Sequence, residues 1–194
     1  MHVTDRWRAS GAALVLLALA AGCSSATPEP TPTTSGSGFV DASEHQFYLA
    51  GVDGIVDYAE PDVTGTIAAS PGGGAFVHTS VSNGRVPYTW AVHDDEPAVL
   101  GDAWEDVGEV VVEVVDELHV LGWGGGSWDE MDLAFEGPGR YVVRCSASGR
   151  DLDWDIAADP VRERYHFDVW PAPQGAQDRL IRAGSSLARS TIEN

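Results

Sequence analysis

Glu109-Val110-Val111-Val112-Glu113-Val114-Val115 is the run on which helix and strand compete most evenly in this chain. Read together with Trp104, Val107 and Leu118, residues Val111 and Val114 lie on a helical stripe, whereas the run read alone alternates as a strand does. Five valines within six positions resolve the competition. A β-branched side chain loses freedom against the preceding helical turn and packs well on a pleated surface. A strand is therefore predicted over 108–115, with Val110, Val112 and Val114 toward the core and Glu109 and Glu113 outward.

The same signature extends in both directions, as short runs rich in Val, Tyr, Phe, Trp and Thr between Gly, Pro, Asn and Asp. Further strands are predicted over 45–52, 75–82, 87–93, 119–123, 131–135, 140–147 and 164–170. No repeat is visible, and the pattern of about eight short strands implies an all-β single domain built as an antiparallel β-sandwich. Ser82-Asn83-Gly84-Arg85 carries the Asn-Gly pair of a tight hairpin, and Gly137-Pro138-Gly139 marks another turn. In Tyr141-Val142-Val143-Arg144-Cys145 the period of two puts Cys145 on the face of Tyr141 and Val143, as a small buried hydrophobe. Cys145 is the sole cysteine of the domain, so stability rests on the core and not on a disulfide.

Upstream of the strands the composition changes twice. Arg6 and Arg8 precede an apolar run from Gly11 to Ala21, too short to span a bilayer and of the length of a secretory leader. Leu19-Ala20-Ala21-Gly22-Cys23 closes it as a bacterial lipobox, so 1–22 is expected to be a cleaved lipoprotein signal peptide and Cys23 the lipid attachment site. Two or more acyl chains hold a protein at a membrane far better than one. Residues 23–38 are expected to be the lipidated cysteine and a disordered Ser/Thr/Pro/Gly tether, 39–172 the acidic domain, and 173–194 a peripheral tail. The expected location is the extracytoplasmic face of the cell membrane.

Charge narrows the partners. Without Arg6, Arg8 and Asp5 the chain keeps nine arginines, no lysine and 29 carboxylates. These are segregated: 20 carboxylates and one base, Arg85, lie between Asp41 and Glu136, while eight arginines lie between Arg140 and Arg189. Such a surface repels nucleic-acid phosphates and anionic headgroups, and favours a basic protein. The expected contact residues are Asp94, Asp95, Glu96, Asp102, Glu105, Asp106, Glu109 and Glu113, dense in sequence and beside or on a strand.

Motifs for chemistry are sparse. Asp151-Leu152-Asp153-Trp154-Asp155 opens like a calcium loop, but Ile156 and Arg162 stand where such a loop needs glycine and glutamate. Asp151, Asp153 and Asp155 are therefore weak metal candidates. Gly122-Trp123-Gly124-Gly125-Gly126-Ser127-Trp128 has no lysine to cradle phosphate and suggests a wide turn between two tryptophans. A carbohydrate-active alternative would use Trp123 and Trp128 with Asp129 and Glu130. The five histidines after the leader show no metal-site spacing, and no nucleophile elbow is present. The chain is expected to act by binding, with no cofactor and no catalytic residue.

Three stretches go beyond generic strand chemistry: Glu44-His45-Gln46-Phe47, Gly137 to Cys145, and Arg164-Tyr165-His166-Phe167-Asp168-Val169-Trp170-Pro171. Together they resemble a loose set of actinobacterial proteins and, more distantly, the competence protein J family, β-rich proteins that include an inhibitor of a secreted DNA-entry nuclease. The resemblance implies a β-rich architecture and, as an alternative function, a nuclease inhibitor or immunity-type protein.

Overall fold

The structure is a computed structural model that describes residues 32–51, 63–123 and 131–193. Among these residues the strands are β1 (Thr34–Ser43), β2 (Gln46–Ala50), β3 (Ile67–Ala69), β4 (Ala75–His78), β5 (Asn83–Val92), β6 (Asp106–Val114), β7 (His119–Leu121), β8 (Gly139–Ser148), β9 (Ala157–Ala158), β10 (Arg164–Pro171) and β11 (Arg179–Ala183). A short helix, α1 (Ser186–Ile192), follows.

All eleven strands share one hydrogen-bonded sheet in the order β11-β6-β8-β10-β5-β1-β2-β4-β3, with β7 added to β2 and β9 to β5. The expected two-layer antiparallel sandwich is thus replaced by a single curled mixed sheet. Parallel pairing of β10 with β5, from Tyr165↔Tyr88 to Val169↔Val92, joins what would otherwise be two sheets. The sheet then curls until β3 packs against β6 from the far end of the order. Gly108 makes this approach possible, because a Cβ there would stand 2.5 Å from the Thr64 side chain.

The concave face holds the core, and period-2 alternation selects its residues. Val110, Val112 and Val114 of β6 meet Tyr141, Val143 and Cys145 of β8 and Tyr165, Phe167 and Val169 of β10. Phe47 of β2 stands edge-on to Tyr165 and Phe167, with ring centroids 5.3 and 6.1 Å apart. Such a pair adds about 0.5–1.5 kcal/mol to the burial of its rings.

Several expectations change in detail. Residues 34–38, read as tether, form the start of β1, which pairs with β5 along its full length from Thr34↔Val92 to Ser43↔Asn83. The small residues Gly36 and Gly38 are needed there, because a Cβ would stand 2.7 Å from the Trp90 and Tyr88 rings respectively. Asn83-Gly84 opens β5 instead of turning, and the tight turn falls to Glu44-His45, whose φ values are 52° and 64°. Residues 131–135 form an irregular segment that leads into a turn and not a strand, since Asp132 Oδ1 accepts from the amides of Leu118 and Ala134 and diverts the backbone from a ladder. The tail is integral: β11 pairs with β6, and Asp106 Oδ1 accepts from the amides of Gly184 and Ser185 at the start of α1. Among the described residues no helix is long and apolar enough to cross a membrane.

Candidate functional site

The charge that is segregated along the chain is paired across the sheet. The Arg144 guanidinium is fully buried on the convex face, where its Nε donates to Glu109 Oε1 at 2.8 Å and its Cζ lies 4.9 Å from the centroid of the Trp170 ring. Its Nη1 also donates to the carbonyls of Pro97 and Ala98. From β11, Arg179 reaches both Glu109 and Glu96, each at 2.8 Å, and these bonds raise its pKa further above the ordinary arginine value. Arg182 pairs with Asp102 at 3.4 Å and donates to the carbonyl of Trp104 at 2.7 Å. Arg150, fully buried in the turn that follows β8, meets the buried Asp106 at 2.9 Å and donates to the carbonyls of Gly65 and His78. Charges removed from water in this way are held only because each has a partner and further hydrogen bonds.

This pairing divides the eight expected contact residues. Asp106 and Glu109 are buried and serve the fold. Asp94, Asp95, Glu96, Asp102 and Glu105 lie on 93–105, a strap that joins β5 to β6 across the convex face. Glu96 and Asp102 are taken by arginines, Asp94 accepts from Thr33 Oγ1, and Glu105 accepts from the Gly149 amide. Asp95 is exposed. Glu113 stands apart from the other seven, at the opposite end of β6 from Asp106.

There a groove of about 350 Å³ opens between the turn after β6 and the turn between β3 and β4. Glu113, Asp116 and Glu117 line it together with Gly51 and Gly72-Gly73-Gly74. Gly73 and Gly74 have φ values of 97° and 77°, and a Cβ on either would stand 2.7 Å from the Glu113 carbonyl oxygen or 2.1 Å from that of Leu49. The glycine turn is closed by its own bonds, Ser70 N–H to the Gly74 carbonyl and Gly73 N–H to that of Ser70. Glycine is what lets the two walls sit this close. Arg140 Nε lies 3.9 Å from Glu113 Oε2, and Glu117 lies 3.1 Å from the Nε2 of the buried His119. A concave, acidic, glycine-floored site of this kind suits a cationic side chain. Asp116, Glu117 and the glycine turn were absent from the sequence reading. The signals were Pro71-Gly72-Gly73-Gly74 and Asp116-Glu117, but nothing in one dimension says that these two turns face each other.

The other candidates are dispersed. Asp151 accepts from the Ser186 amide, Asp153 is bound by Arg162, and Asp155 lies 3.1 Å from His45 Nε2. The bonds from the Arg162 side chain hold the Asp153 carboxyl below the usual range. The three carboxylates point to three different partners, and among the described residues no group of three metal-ligating side chains is placed to hold an ion. Trp123 is exposed and its ring centroid lies 5.7 Å from that of Tyr48. Cys23, Trp128, Asp129 and Glu130 lie outside the described residues.

No family model matches the chain, and no curated protein matches it in sequence. Two solved structures resemble it distantly. One is the crystal structure of ComJ, inhibitor of the DNA degrading activity of NucA, from Bacillus subtilis, at 16% identity and a TM-score of 0.47, covering 74% of this chain and 98% of that one. The other is described as Crocagin biosynthetic gene J, at 13% identity and a TM-score of 0.48, covering 72% of this chain and 98% of that one.

Proposed function

We propose that this protein is a lipid-anchored, extracytoplasmic binding module that receives a basic group of a partner protein in the groove of Glu113, Asp116 and Glu117. The observation that carries the reading is the contrast in charge pairing. On the convex face Glu109 and Glu96 each meet two arginines, whereas at the groove Glu113 meets one, Arg140, at 3.9 Å, and Glu117 meets the His119 imidazole at 3.1 Å. A partner's lysine or arginine supplies the missing counter-charge, and the surrounding field speeds its approach. Anchoring rests on the lipobox at Cys23.

The test is binding of an arginine-rich peptide to the full chain in detergent, measured by calorimetry at low and moderate salt. Affinity falls steeply with ionic strength and is lost in E113Q/D116N/E117Q. Binding that ignores both salt and the triple substitution overturns the reading. The anchor is tested separately, by mass spectrometry of native protein for an acylated Cys23 and by release of Cys23→Ala into the medium.

A second reading narrows the partner to a nuclease. What favours it is the likeness of 44–47, 137–145 and 164–171 to the competence protein J family, together with the acidity of the groove. A nucleic-acid channel is basic, so an acidic surface is complementary to it. Unchanged DNA degradation by every secreted nuclease of the same cell, on addition of the purified protein, removes this reading and leaves the broader one standing.

A further inference from the structure

On the convex face, two imidazoles share one carboxylate. His93, at the start of the strap, and His166, on β10, both place Nε2 against Asp168 Oδ1, at 2.8 and 3.2 Å. Asp168 is buried, which pushes its carboxyl up, but the bonds from His166 and His93 outweigh burial and hold it below the usual range. The remaining nitrogens differ. His166 Nδ1 lies 2.7 Å from Thr89 Oγ1, a hydroxyl that donates or accepts as it turns. His93 Nδ1 is buried with no partner, as are Asp168 Oδ2 and the hydroxyl of Ser146, which faces His166 across the β8–β10 ladder. Orphaned buried polar atoms are rare in folded proteins, and three on Asp168, His93 and the cross-strand neighbour of His166 call for a reason.

We propose that His93, His166 and Asp168 form an acid-sensitive latch that holds the strap 93–105 closed and releases it when both imidazoles are charged. One carboxylate offsets one imidazolium and not two. Charging His166 keeps its partners, since Thr89 turns to accept. Charging His93 puts a second cation on Asp168 and an N–H where no acceptor stands. The surroundings add to the strain. Arg144 is the cross-strand neighbour of Asp168 and already engages Glu109 and Glu96, which Arg179 also occupies. Arg164 sits over Trp104, whose ring is 6.0 Å from that of His166. Asp94 and Asp95 follow His93 on the strap, and Asp94 accepts from Thr33. The latch therefore grips the first residue of the strap directly and the ring of Trp104 near its end, while Arg144 ties the middle through the Pro97 and Ala98 carbonyls.

Imidazoles ordinarily titrate near pH 6.5, so the test is amide hydrogen exchange of the full chain in detergent at about pH 7.5 and about pH 5. Exchange is corrected for the intrinsic rate and read by mass spectrometry. Peptides from 94–104 exchange about tenfold or more faster at the lower pH, the change that one unit of protonation linkage gives, while peptides of β8 keep their protection. His93→Gln and His166→Gln each retain a neutral donor toward Asp168 and lose the pH response. Equal corrected rates at the two pH values in the wild type overturn the proposal, as does a response that survives both substitutions. Loss of β8 protection in step with the strap overturns it as well, since that is global unfolding and not a latch.

Discussion

Asp106 accepts from Arg150 Nη1, from two backbone amides and from the Ser185 hydroxyl, so one carboxylate anchors β8's end, the start of α1 and its own strand. Asp106→Ala strands the Arg150 charge in the interior and costs about 3–5 kcal/mol, read by urea denaturation. Glycines separate equally sharply. Gly108→Ala drives a Cβ to 2.5 Å from Thr64 and costs about 1–3 kcal/mol through overpacking, or reopens the contact between β3 and β6. Gly101→Ala meets nothing within 4 Å and changes stability by less than about 0.5 kcal/mol. Composition treats these two glycines alike, and only the neighbour distinguishes them.

At the scale of the element, β6 presents two glutamates on its convex face that the alternation pattern makes equivalent. Glu109 is buried beneath the strap and β11, between Arg144 and Arg179, whereas Glu113 remains largely exposed. Glu109→Ala leaves the buried Arg144 with the carbonyls of the strap and the half-exposed Glu96 carboxylate at 3.3 Å, and costs on the order of 3 kcal/mol. Glu113→Ala costs less than about 0.5 kcal/mol, the usual yield of an exposed pair. The two denaturation curves therefore separate, although the strand period alone predicts that they coincide. The period of two says which face a side chain takes, but whether that face is wet depends on what crosses it. Here the strap and a strand more than 60 residues away in sequence do so, as the Arg179–Glu109 bond across 70 residues records.

For the whole molecule, pH exposes two opposing sets of carboxylates. Asp153 is held below its ordinary pKa by the bonds from Arg162, and Asp168, despite the upward push of burial, by those from its histidines. Each therefore contributes stability at neutral pH that is lost as pH falls through the depressed value. Glu163 is the reverse. Burial raises its pKa against the hydrogen bonds from Ser80 and Val81 and the charge of Arg150, so its contribution is full in acid and is lost as pH rises through the raised value. The stability of Glu163→Gln relative to wild type accordingly increases from about pH 4 to about pH 8, by denaturation at each pH. A flat difference across that range refutes the assignment.

Local chemistry was enough to place strands at β2, β5, β6, β8 and β10, and to bury Cys145 with Tyr141 and Val143, because side-chain alternation and β-branching act on neighbours in the chain. It misplaced the tight turn, since Glu44 and His45 are carried into positive φ by the ladders of β1 and β2 on either side and not by their own preference. It also took 34–38 for tether, because the glycines that read as flexible are those required beneath Trp90 and Tyr88. The parallel seam between β5 and β10, the pairing of early carboxylates with late arginines, and the meeting of the glycine turn with Glu113 belong to the tertiary structure alone. Each joins residues that are remote in sequence, and the free energy that selects such a contact exists only once the sheet has curled and excluded water from it.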